Sequence, residues 1–418
     1  MKFRRQLLRV GPAITGFALA AILGSAQSLA QNAYVANELS DNVTVIDTRT
    51  NAVVGAPIPV GGAPWGVAVS PNGASVYVTN INSGTVSVID ARTNTAAATF
   101  HAGTYPFGVA VSPDGTRLYV GNYNQSASTV TVIDVATGAT VAAIPTATTP
   151  NSFATRGVAV SPDGKKVYAL NIGPDAIRVI DAATNAVINT ISTPGTFNAF
   201  QAAFSPDGSR AYISQQRFGT FPAPTMALLT IVDVGTSTVV DTVVLGSEDN
   251  GGNAYPEGVA MSPDGKKVYV VTLLLPAGEP FFTTQVTVVD TATNAIAATI
   301  PVGANGGISI TPDGGELYVV NAGANVVAVI DTATNATVAG VPVGTLPFSV
   351  GNFIQPAPRF AGTPGKANCH GQSVSALAKQ YGGLNNATAT LGYSSVSALQ
   401  NAIMEFCDGS DQVASTSR

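Results

Sequence analysis

Charge is scarce in this chain: only 10% of its 418 residues are Asp, Glu, Lys or Arg, against about 25% in an average globular protein. The polar surface must therefore be built from Thr, Ser, Asn and Gly. Histidine and cysteine number two each and tryptophan one, which leaves little material for a metal centre and excludes a disulfide-dense scaffold. No metal site and no cofactor are expected. There is no basic excess, the net charge being -5, so no nucleic-acid partner is expected, because such modules usually present a basic patch to phosphate. With 45% hydrophobic residues the chain is too apolar for charge-driven disorder. Turn formers are plentiful, at 43 Gly and 26 Pro.

The first 30 residues read as an address. Lys2, Arg4, Arg5 and Arg9 precede an apolar run, Val10 to Leu23, that is too short to span a membrane comfortably. Ser28-Leu29-Ala30 fits a small-residue cleavage site, with Gly24-Ser25-Ala26 as a second choice and an uncleaved anchor as the alternative reading. Arg4-Arg5-Gln6-Leu7-Leu8 loosely resembles a twin-arginine signal, so the export route stays open. All four charges in this segment are positive; from residue 31 on, 15 basic residues face 24 acidic ones, a net of -9. The expectation is an acidic protein exported to the periplasm or outside the cell, with no membrane span once the segment is cleaved.

The body is one unit seven times over. Tyr-hydrophobic-x-Asn recurs at Tyr34, Tyr77, Tyr119, Tyr168 and Tyr318, with degenerate copies at Tyr212 and Tyr269. Two β-branched residues followed by Asp end at Asp47, Asp90, Asp134, Asp181, Asp233, Asp290 and Asp331. Ser-Pro-Asp-Gly starts at Ser112, Ser161, Ser205 and Ser262, with variants at Ser70 and Thr311. Six intervals from Asp47 to Asp331 average about 47 residues, a period that marks solenoids or propellers. Each unit reads as four short strands. In one copy these are Gly66 to Val69, Val76 to Thr79, Thr85 to Asp90 and Thr95 to Phe100, the first two joined by the Ser70-Pro71-Asn72-Gly73 turn. Such a sheet cannot bury both faces alone, and radial stacking can. The array starts in mid-unit at Tyr34, and its last segment, Leu346-Pro347-Phe348-Ser349-Val350, begins a new unit and stops. The two ends are expected to complete one blade and so remove free edges. An open solenoid has no use for that phase shift.

Tyr77-Val78-Thr79-Asn80 resembles the signature of the YVTN-repeat β-propeller family, also seen in surface-layer-like proteins. The resemblance covers roughly residues 32–353. It implies an all-β, seven-bladed propeller of four-stranded antiparallel blades exported from a prokaryotic cell, and it implies little chemistry, because the family mostly has no assigned reaction. The units at Tyr212 and Tyr269 depart from the motif, ending in Gln215 and Thr272.

One carboxylate per unit, each opening a turn, points to an acceptor for the turn backbone rather than a metal ligand. The repeated Asn is expected to do the same. Length variation then picks out a face. From Ser of the turn to Tyr is seven residues in all six copies, whereas Asn to Asp runs 10, 10, 12, 10, 18, 18 and 10. The expansions are 215–229 and 272–284, and the fourth-to-first connections swell at 145–156 and 247–257. Insertions confined to one face of a repeat protein often mark its binding face. The long connections carry Phe218, Phe221, Phe281 and Phe282, candidates for a partner-binding rim patch or for mutual packing that orders the loops.

The residue just before each first strand should stand at the mouth of the central channel. These are Trp65, Phe107, Arg156, Phe200, Glu257, Gly306 and Phe348. They suit a small-ligand funnel; the alternative is a plug that closes the channel, with Arg156 paired to Glu257. No catalytic residue is assigned. There is no Gly-x-Ser-x-Gly elbow, no Cys-x-x-Cys-His (Asn368-Cys369-His370-Gly371 has one Cys), and none of the repeated Trp of quinoprotein propellers. His101 ends a fourth strand where other units place Pro59 or Pro301. The expectation is a monomeric, non-enzymatic propeller (residues 31–354) that binds a protein or cell-envelope partner through its variable rim. The alternative is a lactonase-type hydrolase using Glu257 at the mouth.

A Pro-, Gly- and Ala-rich stretch, 355–368, reads as a linker. Beyond it, Val374, Leu377, Ala378 and Tyr381 fall on one helix face, as do Val396, Leu399, Ile403 and Phe406, with Ser394 or Ser395 as N-cap. A short helix over 384–391 is expected between them. Cys369 and Cys407 bracket this unit, 369–418, and are expected to form a disulfide in an exported protein.

Overall fold

Period-two alternation makes each repeat an antiparallel sheet. In blade 2 the strands are Pro64–Val69, Ser75–Asn80, Thr85–Asp90 and Thr95–His101, paired in chain order. In a computed structural model the described residues are 31–123, 128–147, 154–173, 177–193, 196–218, 225–246, 252–275, 282–303, 305–356, 369–381, 383–390 and 395–407. The expected signal peptide, residues 1–30, lies outside them, as do 357–368 of the expected linker. Burial follows position in the blade. The second strand of blade 2 is buried on both faces from Val76 to Asn80, while the fourth is almost wholly exposed. An inner strand sandwiched between neighbouring blades reads as a continuous apolar run, and an outer one as Thr and Ala.

Six sheets are hydrogen-bonded as such, and one of them has eight strands. That sheet is two blades, 154–191 and 196–246, joined among the described residues through Asn198, which pairs with Ile172, so the ring has seven blades. Blade 1 is the composite one. Its chain-order strands are Asn32–Asn37 and Asn42–Asp47, with an outer strand broken into Ala52–Val53 and Ile58–Pro59. Its innermost strand comes from the other end of the array. Tyr34 N donates to Phe353 O at 2.8 Å, Gln355 N to Asn32 O at 3.0 Å, and Ala33 bridges Ile354.

The closure meets one expectation and extends another. The segment at Phe348 pairs with the N-terminal strand, Phe348 N donating to Ala36 O at 3.0 Å and Pro347 bridging Asn37; after an irregular step at Ser349 to Gly351, with positive φ at Ser349 (48°) and Gly351 (118°), the pairing resumes at 352–355. The ring also runs past the expected boundary at 354. Gln355 Oε1 accepts from Asn32 N at 2.9 Å, its Nε2 donates to Gly73 O at 2.8 Å, and Pro356 lies against Gly73. Gln355-Pro356 thus occupies in blade 1 the place that Ser-Pro fills in the others.

The tail forms three helices, α1 (Cys369–Tyr381), α2 (Leu384–Thr390) and α3 (Val396–Cys407). Leu377, Ala387, Leu399 and Ile403 share a buried cluster with the Cys369–Cys407 disulfide. Ser395 caps α3, its Oγ accepting from Ala398 N at 3.1 Å, and Ser394 lies outside the described residues. The side chains of Tyr381 and Phe406 lie outside the described residues.

Candidate functional site

The first strands converge so closely that most blades have glycine at one level of the channel. A Cβ on Gly66 would lie 2.4 Å from Phe107 O, and one on Gly157 only 2.1 Å from Phe200 O. Only glycine admits that approach. The residue preceding each of these glycines is therefore driven up to the mouth beside its counterparts from other blades. Blade 5 has Gln201 in place of glycine, and its Oε1 accepts from Val259 N of blade 6 at 3.0 Å. The backbone of Glu257 is pinned in turn by Ser214, whose Oγ donates to Glu257 O at 2.9 Å.

All six side chains singled out for the mouth meet there. Trp65 and Phe348 stack at 3.9 Å with 16° between their planes, and Phe107 meets the indole edge-on at 5.6 Å. The Arg156 guanidinium lies 4.9 Å from the Phe200 ring centre and 5.7 Å from that of Trp65, both within reach of the cation–π attraction. Its Nη2 is 3.8 Å from Glu257 Oε2, with the two side chains 24% and 21% exposed. That separation is an ion pair by proximity and exceeds hydrogen-bonding distance. Burial raises the Glu257 carboxyl above its ordinary range, and the Arg156 charge pulls partly the other way. The Trp65 indole N–H is buried without a partner. Gly306 gives blade 7 no side chain in this circle.

The aromatic cluster also extends outward in a way that residue spacing did not disclose. Tyr123 lies 6.5 Å from Phe107, and Tyr105 lies 6.0 Å from Tyr123 and is 47% exposed. The one available sequence signal was the aromatic ahead of the proline in Tyr105-Pro106-Phe107. Below the mouth the channel holds a cavity of about 400 Å³ whose wall includes Ala68, Ala110, Ala159 and Ala260, with Gln201, Ser309 and Asn352 as polar exceptions.

On the same rim, the expanded connections are strand extensions rather than loops over much of their length. Arg210–Arg217 and Met226–Asp233 pair up to Arg217–Met226, and Lys267–Leu275 pairs with Thr283–Asp290 up to Leu274–Thr283. Phe218 is 47% and Phe282 50% exposed, and Phe282 meets Tyr255 edge-on at 5.8 Å. Phe221 and Phe281 lie outside the described residues. Among the described residues no group of three or more His, Cys, Asp or Glu is placed to hold a metal ion, and no helix is long and apolar enough to cross a membrane.

Seven four-stranded blades closed by the two ends of the array, with the variable groups gathered at one mouth, define a β-propeller built to present residues from every blade at its axis. The chain belongs to the lactonase family of seven-bladed β-propellers, whose model matches residues 58–273. No curated protein matches it. Among solved structures it is similar to the hydrazine synthase of Kuenenia stuttgartiensis, at 25% identity over 68% of this chain and 88% of that one, with a TM-score of 0.60. The dihydro-heme d1 dehydrogenase NirN in complex with DHE shares the fold, at 18% identity, 77% and 75% coverage and a TM-score of 0.51.

Proposed function

We propose that this protein is an exported, non-enzymatic propeller of the YVTN-repeat kind that binds a protein or cell-envelope partner with the rim made by its second-to-third and fourth-to-first connections. One observation carries this reading. The extended hairpins ending at Arg217–Met226 and Leu274–Thr283 project on that rim alone and bring exposed Phe218 and Phe282 with them. Apolar side chains held out on paired strands cost stability in a free protein and are compensated when a partner covers them. The test replaces 218–225 and 276–282 with short Asn-Gly turns. The folded variant should lose the partner that the full chain recovers from its own periplasmic or surface fraction; undiminished recovery would overturn the reading.

Family membership and the Arg156–Glu257 pair favour a second reading, hydrolysis of a lactone at the mouth. Glu257, its carboxyl raised by burial, would take a proton from water as it adds to the lactone carbonyl, Arg156 would stabilise the oxyanion, and Glu257 would return that proton to the ring oxygen as the ring C–O bond breaks. A lactone panel measures this. Turnover that disappears in Glu257→Gln would replace the binding reading.

A further inference from the structure

We propose that the channel mouth binds a neutral polyhydroxylated ligand, the sugar end of a glycan, with Arg156 and Glu257 holding its hydroxyls and the Tyr105–Tyr123–Phe107–Trp65 track receiving its rings. The inference rests on the binding reading above and names the chemistry of one partner.

Charge decides the class. The ring of Trp65, Phe107, Phe200 and Phe348 has the composition of a cage for a cation, but it already holds one, the Arg156 guanidinium. A cationic ligand would meet that charge. An anionic ligand would meet the Glu257 carboxylate, 3.8 Å from the guanidinium. The site sums to zero and suits a neutral guest. Among the described residues no hydrogen bond occupies either charged end, so the donors of Arg156 and the lone pairs of Glu257 remain available. Neighbouring sugar hydroxyls, each both donor and acceptor, can accept from the first and donate to the second.

The aromatic surface fits the rest of such a ligand. A pyranose presents an apolar C–H face that packs on aromatic rings, while its rim stays polar. Here the rings form a path from buried Trp65 through half-buried Phe107 and Tyr123 to exposed Tyr105, which is long enough for more than one sugar unit. Tyr105 takes a left-handed φ of 46° just before Pro106, a conformation shared by Ala63 and Leu346 at 53° in the same position of adjoining blades. Such backbone is strained for a residue before proline, and of these three only blade 3 uses it to carry an aromatic ring outward. The unpartnered Trp65 N–H in the same cluster is a buried donor that gains when a hydroxyl reaches it.

The chain has a single tryptophan, and it sits in this site, so its fluorescence reads the mouth directly. Full-length protein is titrated with glucose, N-acetylglucosamine and their linked oligomers, with gluconate as the anionic and choline as the cationic comparator. At least one neutral saccharide should shift Trp65 emission saturably, with oligomers binding more tightly than monomers. Tyr105→Ala, exposed and outside the core, should keep the fold and weaken the oligomers about tenfold while leaving the monomers unchanged. The double variant Arg156→Gln/Glu257→Gln, which keeps the site neutral, should weaken both. A response to gluconate or choline alone, or to nothing in the panel, overturns the proposal. If no saccharide responds yet the shortened rim still loses its partner, the glycan fails and the rim reading stands. If saccharides bind and the shortened rim keeps its partner, the rim reading fails and the mouth site stands.

Discussion

The repeated aspartates show what a single residue type does seven times over. Asp47 Oδ1 accepts from Arg49 N at 2.8 Å and Thr50 N at 3.2 Å, and Asp331 Oδ1 accepts from Ala333 N and Thr334 N. The Ser-Pro-Asp-Gly carboxylates behave alike, Asp114 accepting from Ser112 Oγ and Thr116 N. These bonds favour the charged form. The Ser205 hydroxyl, with the backbone of Ser209, holds Asp207 down to about 2, and the backbone and side chain of Thr236, with Arg210, do the same for Asp233. A carboxyl depressed on folding stabilises the protein above its unfolded pKa of about 3.9, and that stability is lost as pH falls through the folded value. Melting temperature should therefore hold from neutral pH to about pH 5 and fall steadily toward pH 2; a flat profile below pH 4 would contradict the account. The Asp role was legible because a turn places the acceptor beside its donors. The Asn role was misjudged. Asn37 Nδ2 donates across the strand pair to Asn42 Oδ1 and Thr44 Oγ1, Asn80 to Thr85 and Ser87, and Asn122 to Thr131; of the repeated Asn, Asn321 does serve its turn, accepting from Ala324 N. The hydroxyl partners recur in the sequence, but their meaning depends on which face they share. Close approach gives a second residue-scale outcome. Gly157→Ala should cost about 1–3 kcal/mol or more in urea unfolding, because the Phe200 carbonyl backbone must move.

At the scale of elements, the contact between blade 7 and the N-terminal strands of blade 1 is made by residues from opposite ends of the chain. At two other seams a basic residue at the start of the second strand reaches forward to the next blade's turn. Arg117 Nη1 donates to Ala182 O at 2.7 Å, and Lys166 Nζ donates to Val234 O and Gly235 O. The closing seam has Glu316 instead, which accepts from Asn51 Nδ2 at 3.3 Å and lies near Tyr318. Burial raises the Glu316 carboxyl, and Asp313 and Asp331 add to the rise. A carboxyl raised on folding opposes folding when ionised, and that penalty is relieved as pH falls through the folded value. Glu316→Gln should accordingly raise the melting temperature at pH 7, with the gain shrinking to nothing as the wild type becomes protonated. An equal gain at every pH would place the effect elsewhere. The closing strand itself was foreseeable from the phase shift of the repeats. Its register was not, because the irregular step at Ser349 to Gly351 stands where other blades carry a simpler register shift, as between Pro64 and Val67. A stop after Gly351 removes Phe353 and Ile354, both buried, and Gln355, which bonds to Asn32 and Gly73. It should lower the main transition by many degrees, whereas a stop after Pro356 should leave it in place.

The whole molecule joins two kinds of stability. In the ring, every blade except the composite one is hydrogen-bonded from contiguous chain, and loss of one inner strand opens the circle. The helical tail has only a small apolar cluster around Leu377, Ala387, Leu399 and Ile403, too little to hold three short helices without a covalent brace. The Cys369–Cys407 disulfide spans 38 residues, and by the chain-entropy model a loop of that size contributes about 3–4 kcal/mol. The tail's helices were readable from i, i+3, i+4 spacing and its brace from the only two cysteines, for the same reason that the ring was readable from its repeats: both depend on local periodicity. The mouth was only half readable, since position alone drove Trp65, Phe107, Arg156, Phe200, Glu257 and Phe348 together, while Tyr123 joins them across a connection that no spacing rule describes. If the two parts fold separately, reduction should melt the helical contribution to circular dichroism and leave the β transition within a degree or so of the oxidised protein. The chain stopped after Pro356 should then match the β transition of reduced protein. A ring transition that falls on reduction as far as it does after a stop at Gly351 would mean that the tail holds the closing strand in place, and that the disulfide acts on the ring through it.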